Sequence, residues 1–325
     1  MRITVLLGGD SPEREVSLAS GRAVADGLAR RGHQVRTRDI ASVAEVMTMT
    51  DLREDDLVFP ALHGGDGEDG HLQAVLDLLE VPYALSGQTA SAVAMDKAAT
   101  KRIMASSGIS TPEWLLVSFE QGAAGLSLSH VRDRALDELG LPVAIKLNSA
   151  GSSVGVEIVD QAERFDAAFS RVVDAAAGSR AEILLERYVP GRELTAAILL
   201  GRRLPLLEIR PREGFYDYAS KYTQGASEYL CPAPVDSPIY EHICADALEL
   251  YDLIGCEGVA RVDFRLDGDR HACLEINTIP GMTETSLVPK AAAAVGIGFE
   301  ALVEDLCREA LARAGRTEAA ADDGR

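Results

Sequence analysis

RVDFRLDGDRHACLEINTIPGMTETS, residues 261 to 286, reads as two short strands joined by a turn. Side chains alternate faces along a strand. Val262, Phe264 and Leu266 therefore share one face of the first strand, and Leu274 and Ile276 share one face of the second. The other faces carry Arg261 and Asp263, then Glu275 and Asn277. A two-residue turn would leave Asp263 and Glu275 out of step, whereas a loop of about five residues sets them opposite each other. Two facing carboxylates repel and call for a neutralising partner. With an amide oxygen beside them they form the hard-oxygen set that suits Mg²⁺ shared with phosphates. A solvated hairpin face is the plainer alternative. Asn277 runs directly into Thr-Ile-Pro-Gly-Met-Thr, whose backbone amides can face an anion, and this favours a metal–phosphate site.

Working outward, the 325 residues exceed one small core and predict two or three domains. Apolar content of 47% and charged content of 26% are those of an ordinary soluble globular chain. A formal net charge of −19 argues against a nucleic-acid or anionic-membrane partner, though a local cation cluster can still bind a nucleotide. No apolar run approaches a membrane span, and the first residues turn polar too soon for a signal peptide. Five cysteines without CxxC spacing read as reduced thiols, so a cytoplasmic location is expected. Of 32 Lys plus Arg only five are lysines: Lys97, Lys101, Lys146, Lys221 and Lys290. Against that bias, a retained lysine marks a site wanting a compact point charge.

The first half alternates strand and helix, which predicts a parallel sheet. Strands are expected at 3–7, 35–39 and 57–62, with helices at 11–30, 71–80 and 91–107. Ser11 is the expected N-cap of the first helix. GDGEDG, residues 65–70, matches GxGxxG in form, but its three acids would repel a pyrophosphate and no ribose-binding acid follows. Glu15 and His63 both follow strand C-termini, where open α/β sheets bind ligands. Glu15 there suits a substrate ammonium, or simply a first-turn helix position.

Further along, a strand at 141–145 delivers Lys146 into Asn148-Ser-Ala-Gly-Ser-Ser153, whose small residues let amides approach phosphate. GxxxxGK[ST] is absent from the chain. Residues 211–232 form a long aromatic-rich segment centred on Lys221 and Tyr222, the signature of a lid. A terminal helix is expected over 299–314, with residues 315–325 as a disordered tail.

Lys146, GSSVG, Glu186, Arg261, Asp263, Glu275, Asn277 and PGM, in this order, resemble the ATP-grasp enzymes. GGDSPEREVSLASG, ALHGGDGEDG, MDKAATK, KLNSAGSSVGV, YDYASKY and LEINTIPGMTETSLVP narrow the resemblance to D-alanine–D-alanine ligases over nearly the whole chain. The resemblance implies an α/β (α+β ATP-grasp) fold. A Rossmann-like parallel-sheet domain, 1–94, would be followed by two ATP-grasp subdomains, 95–190 and 191–314. The implied reaction joins two D-alanines for peptidoglycan precursor synthesis, with ATP as co-substrate and two Mg²⁺ (or Mn²⁺) ions, in a homodimer.

The same resemblance implies the residue roles. Glu15 would hold the ammonium of the first D-alanine and join Ser152 and Tyr222 in a triad closing the lid. His63 would sit near the substrate carboxylate. Lys97, Lys146 and Lys221 would contact phosphates, with Ser153 in the phosphate loop. Glu186 and Glu193 would meet adenine and ribose. Asp263, Glu275 and Asn277 would hold the metal. Arg261 and the Gly281 amide would stabilise the oxyanion, and Ser286 and the Leu287 amide would hold the second carboxylate. Leu147 and Ala150 depart from the family loop, which implies a looser loop. The competing readings are a D-alanine–D-lactate or D-alanine–D-serine ligase, against which Tyr222 speaks, an ATP-grasp ligase for another amino acid, against which Glu15 with Ser152 and Tyr222 speaks, and a nucleotide-binding protein without catalysis, against which the intact metal set speaks.

Overall fold

Three sheets follow one another along the chain in this computed structural model, which describes residues 1–120, 127–151, 155–176, 180–211 and 227–322, without the side chains of 180 and 316–322. The first comprises β1 (Arg2–Gly8), β2 (Gln34–Ile40) and β3 (Leu57–Pro60), parallel and in the order β2-β1-β3. Helix α1 (Arg14–Arg30) lies on it, and a Cβ at Gly21 would sit 2.6 Å from that of Leu7, so only glycine permits this approach. The helix begins at Arg14, not at Ser11 as the cap pattern predicts. The Ser11 hydroxyl donates to the His63 carbonyl and accepts from the Glu13 amide, so it ties two loops together and caps no helix.

Helix α2 (His71–Leu78) is followed by α3 (Gln88–Met95) and α4 (Lys97–Ser107), where one helix over 91–107 was expected. Asp96 breaks it. Its extended backbone and its carboxylate, which accepts from the Ala99 amide at 2.9 Å, make it the N-cap of α4. Both helices pack on the back of the third sheet, through Ala90, Ala94 and Met104.

The second sheet holds β4 (Trp114–Glu120), β5 (Val143–Leu147), β6 (Val156–Val159) and β7 (Arg180–Arg187), antiparallel in the order β4-β7-β5-β6. Helices α5 (Leu128–Glu138) and α6 (Phe165–Asp174) cover it, with Phe165 stacked on Phe169. The third sheet runs β11-β10-β8-β12-β13, all antiparallel, with β9 (Arg202–Arg203) paired to β8. Its strands are β8 (Arg192–Leu199), β10 (Leu207–Pro211), β11 (Ser227–Leu230), β12 (Val259–Asp267) and β13 (Arg270–Asn277). Helix α7 (Ser237–Ile254), opened by Pro238, buries Ile243, Ala247, Leu250 and Ile254 against Phe264 and Ile276 of the hairpin.

The hairpin reaches its predicted opposition of Asp263 and Glu275 by another route. Its turn is the two residues Gly268-Asp269, with Gly268 at φ +61, not a five-residue loop. Register then shifts between Asp263 and Phe264, so Leu274 is an extra residue and Asp263 pairs with Glu275. Consequently Cys273, opposite Phe264, takes the core position predicted for Leu274.

Helix α8 (Leu287–Ala293) and helix α9 (Phe299–Asp322) complete the fold. The last helix runs beyond Ala314 to Asp322, within the stretch expected to be disordered. Its alanines and Glu318 are strong helix formers, and they carry the helix past Gly315. Leu302, Val303 and Leu306 share one core with Val24 and Leu28 of α1 and with Leu199 and Val259 of the third sheet. First and third units are thus joined by apolar packing. No helix among the described residues is long and apolar enough to cross a membrane.

Candidate active site

A cavity of about 790 Å³ lies where the three sheets meet. Its floor is the polar face of β12 and β13. Arg261 grips Asp263 with two N–H groups, Nε to Oδ1 at 2.9 Å and Nη2 to Oδ2 at 2.8 Å. Thr195 donates to the same Oδ1 at 2.7 Å. Glu275 faces Asp263 across the pair, 3.5 Å from the Lys97 ammonium, and Asn277 accepts from the Ile279 amide at 2.9 Å. Asp263, Glu275 and Asn277 therefore come together on one strand face, as alternation predicts, and their oxygens are the donor type that Mg²⁺ takes. Glu193, on β8, lines the same cavity and pairs with Arg265 at 3.3 Å.

Lys97 is the first residue of α4, and its ammonium donates to the Ala150 carbonyl at 2.6 Å. Burial pushes its pKa down, with Glu275 opposing. What aims α4 at the loop is Asn148. Its side chain is fully buried, accepts from the Ala98 amide at 2.8 Å and donates to Asp96 and Glu182. Asn148 therefore crosslinks helix and sheet, while Leu147 stays in β5, paired with Ile183.

Lys146 and Glu186 lie beneath the cavity, outside its lining. Lys146 donates to Glu186 Oε1 at 3.0 Å, and Lys101 sits 2.6 Å from Oε2. Burial alone would raise the Glu186 carboxyl, but the two ammonium groups overturn this and hold it below the usual carboxylate range. Burial, with the like charge of Lys146 nearby, pulls the Lys101 pKa down against the opposing pull of Glu186.

The first sheet supplies another wall. Glu15 lines the cavity but is exposed. Glu13 is the buried carboxylate: a Cβ on Gly151 would lie 2.8 Å from its Oε2, so this side chain reaches the phosphate loop. Glu68 is buried beside it and bonds His63 Nδ1 at 3.0 Å. His63 Nε2 meets Ser20 Oγ at 3.1 Å, and Ser20 in turn accepts from the Met282 amide at 3.3 Å, tying this wall to the turn after β13. Sequence reasoning missed both: Glu13 fell inside the helix expected over 11–30, where Glu15 was chosen instead, and Glu68 fell inside the acidic GDGEDG loop. The remaining acids of the loop, Asp66 and Asp69, gather with His71 at the surface, where Asp69 raises the histidine pKa.

At the far end Gly281, Ser286 and Leu287 line the cavity. A Cβ on Gly281 would lie 3.1 Å from Ser286 Oγ, and that hydroxyl accepts from the Thr283 amide at 3.1 Å. Lys290 lines it too, 4.9 Å above the Tyr229 ring and bonded to the Thr285 carbonyl, with its pKa lowered by burial. Ser152, Ser153, Lys221 and Tyr222 lie outside the described residues, as does most of the lid segment.

Comparison with known proteins matches this arrangement. Residues 103–308 match the model of the D-ala D-ala ligase C-terminus, and residues 41–86 that of its N-terminus. The chain is 46% identical over 316 residues to the D-alanine–D-alanine ligase of Desulforudis audaxviator, covering 96% of this chain and 99% of that protein. It is 42% identical over 315 residues to that of Moorella thermoacetica, covering 96% and 99%. Among solved structures, D-alanine–D-alanine ligase from Bacillus anthracis complexed with ATP superposes with a TM-score of 0.83 at 28% identity, covering 98% of this chain and 99% of that one. VanG D-Ala:D-Ser ligase from Enterococcus faecalis superposes with a TM-score of 0.79 at 27% identity, covering 95% and 99%. With both family models matched in sequence order and the ATP-grasp sheets in place around one cavity, the chain belongs to the D-alanine–D-alanine ligase family.

Proposed function

We infer that this protein joins two D-alanine molecules at the expense of ATP, through an acyl phosphate, as a step in making peptidoglycan precursors. The observation that carries the reading is the cavity itself, which groups the oxygens of Asp263, Glu275 and Asn277 with Lys97 on one side and Gly281 and Ser286 on the other. Glu13 takes the ammonium of the first D-alanine in place of Glu15, because it is buried and faces the Gly151 backbone. His63, held between Glu68 and Ser20, orients that substrate's carboxylate. Lys97 and Lys146 draw the ATP phosphates, with Lys221 and Ser153 assigned by family likeness, and Glu186 and Glu193 meet the nucleoside end.

The carboxylate of the first D-alanine attacks the γ-phosphate, releasing ADP and leaving the acyl phosphate. Asp263, Glu275 and Asn277 would hold Mg²⁺, which when bound offsets charge on the phosphate oxygens. The amine of the second D-alanine then attacks the acyl carbon. Arg261, steadied by its paired bonds to Asp263, and the Gly281 amide stabilise the oxyanion, while Ser286 and the Leu287 amide hold the second carboxylate. Phosphate leaves and the dipeptide remains. Ser152 and Tyr222 complete the closed lid, which keeps water from the acyl phosphate. A homodimer in the cytoplasm is the expected setting.

The test is ATP-dependent phosphate release with D-alanine, L-alanine, D-serine or D-lactate, with product masses recorded. D-alanyl-D-alanine from D-alanine, with L-alanine inert, is the expected result. Preferred capture of D-serine or D-lactate at the second site would overturn the acceptor assignment. Absence of turnover with all four would overturn the reaction.

A further inference from the structure

Glu186 is bracketed by two lysines that are not equivalent. Lys101 is fully buried and held twice, by Glu186 Oε2 at 2.6 Å and by the Thr111 hydroxyl at 2.7 Å. Thr111 donates in turn to the Cys273 carbonyl at 2.9 Å, so this lysine is anchored to β13. Lys146 is 8% exposed, and its hydrogen bond among the described residues goes to Glu186 Oε1 alone. Lys97, another cation, lies close enough to be felt by it. Stability does not explain Lys101, since a buried ammonium gains little over an apolar side chain of equal size.

We propose that Lys101 is a positioning residue that permanently neutralises Glu186, so that Lys146 can turn to the nucleotide phosphates without stranding a buried carboxylate. Removing one partner of a buried pair is costly because the other charge stays uncompensated. With two cations on one carboxylate, one of them can leave. The cluster also carries one surplus positive charge, which attracts a polyanion. Lys101 thus acts on ATP through Lys146 without touching it, and the inference rests on the assignment of Lys146 to phosphate.

Lys101→Met leaves a balanced Lys146–Glu186 pair, so the fold should stand. Direct calorimetric titration of the full chain with Mg·ATP and with adenosine reads the effect independently of ligation. ATP affinity should fall about tenfold or more while adenosine affinity changes less than about threefold. In turnover, KM for ATP should rise with kcat within about threefold. Equal losses for ATP and adenosine, or no loss for ATP, would overturn the proposal. A wild-type protein that binds ATP but joins no D-alanine would overturn the ligase reading instead and leave this one standing. Should Lys101→Met fail to fold, the pair Glu186→Gln and Lys101→Met/Glu186→Gln carries the test. With the carboxylate gone, losing Lys101 should cost ATP affinity less than about threefold. A full tenfold loss in that background would make Lys101 a plain point charge and overturn its role as partner of Glu186.

Discussion

Two charge clusters flank the cavity, and they follow different rules. Around Glu186 all three charged groups are buried, and the cations outnumber the carboxylate. On the hairpin face, Asp263 and Glu275 are only partly covered, and Arg261 and Lys97 each reach one of them. The buried cluster is drawn tight, because a charge in a low dielectric is costly unless a counter-charge lies beside it, and one positive charge remains in surplus. The hairpin face lines the cavity, so its carboxylates stand where an incoming cation can reach them. The first cluster is a means of holding lysines in place, and the second is a place where ligands arrive.

The sharpest break of that contrast is Asp263→Asn. It should cut Mg²⁺-dependent phosphate release by about a thousandfold while leaving the circular dichroism spectrum unchanged, since an open carboxylate serves ligands more than the fold. Wild-type turnover would remove Asp263 from the metal set. Next in size is the choice between two glutamates on the opposite wall. Glu13→Gln should lower kcat/KM for the first D-alanine about a hundredfold, and Glu15→Gln less than about threefold. The reverse order would restore Glu15 to the ammonium.

A third cluster, remote from the cavity, serves as a control. Glu304 on α9 is bonded by Arg308 and Arg31, with His33 beside it, and its carboxyl is drawn from 4.5 to about 2. A carboxyl depressed in the folded state stabilises above its unfolded pKa, and that stabilisation fades as pH falls from 4.5 towards about 2. Glu304→Gln should therefore lower Tm at neutral pH with turnover retained, and the gap to wild type should close in that acid range. A gap that is constant with pH would mean packing, not charge, sets the effect. The smallest change is expected from Tyr229→Leu, which removes the ring under Lys290. A loss of about 0.5–1 kcal/mol, read as a Tm shift of a few degrees or less, is the measure of that contact.

Much of this architecture was legible in residue order. Alternation along 261–267 put Asp263 on the open face and Phe264 in the core, and both stand there. The bulge at Leu274 was not legible, because alternation says nothing about where a strand takes an extra residue. Its effect was hidden, since the five-residue turn predicted the same opposition of Asp263 and Glu275. Asp96 was lost inside an apparently continuous helix, because its capping bond to Ala99 is local while the reason for the break, Asn148, lies 52 residues further along the chain. Lys101 stood out as one of only five lysines, but residue order gave it no partner, and it is fully buried.

Residue order was enough for the kind of molecule: strand–helix alternation first, and later a hairpin bearing hard-oxygen ligands, both set by short-range periodicity and by motifs in order. Tertiary structure alone decided which charge meets which. Glu13 against Gly151, Lys101 on Glu186, and Asn148 between Asp96 and Glu182 are pairings between segments distant in the chain. Nothing in a local pattern encodes them, because burial makes each charge seek the nearest counter-charge in space, and proximity in space arises only when the sheets have packed.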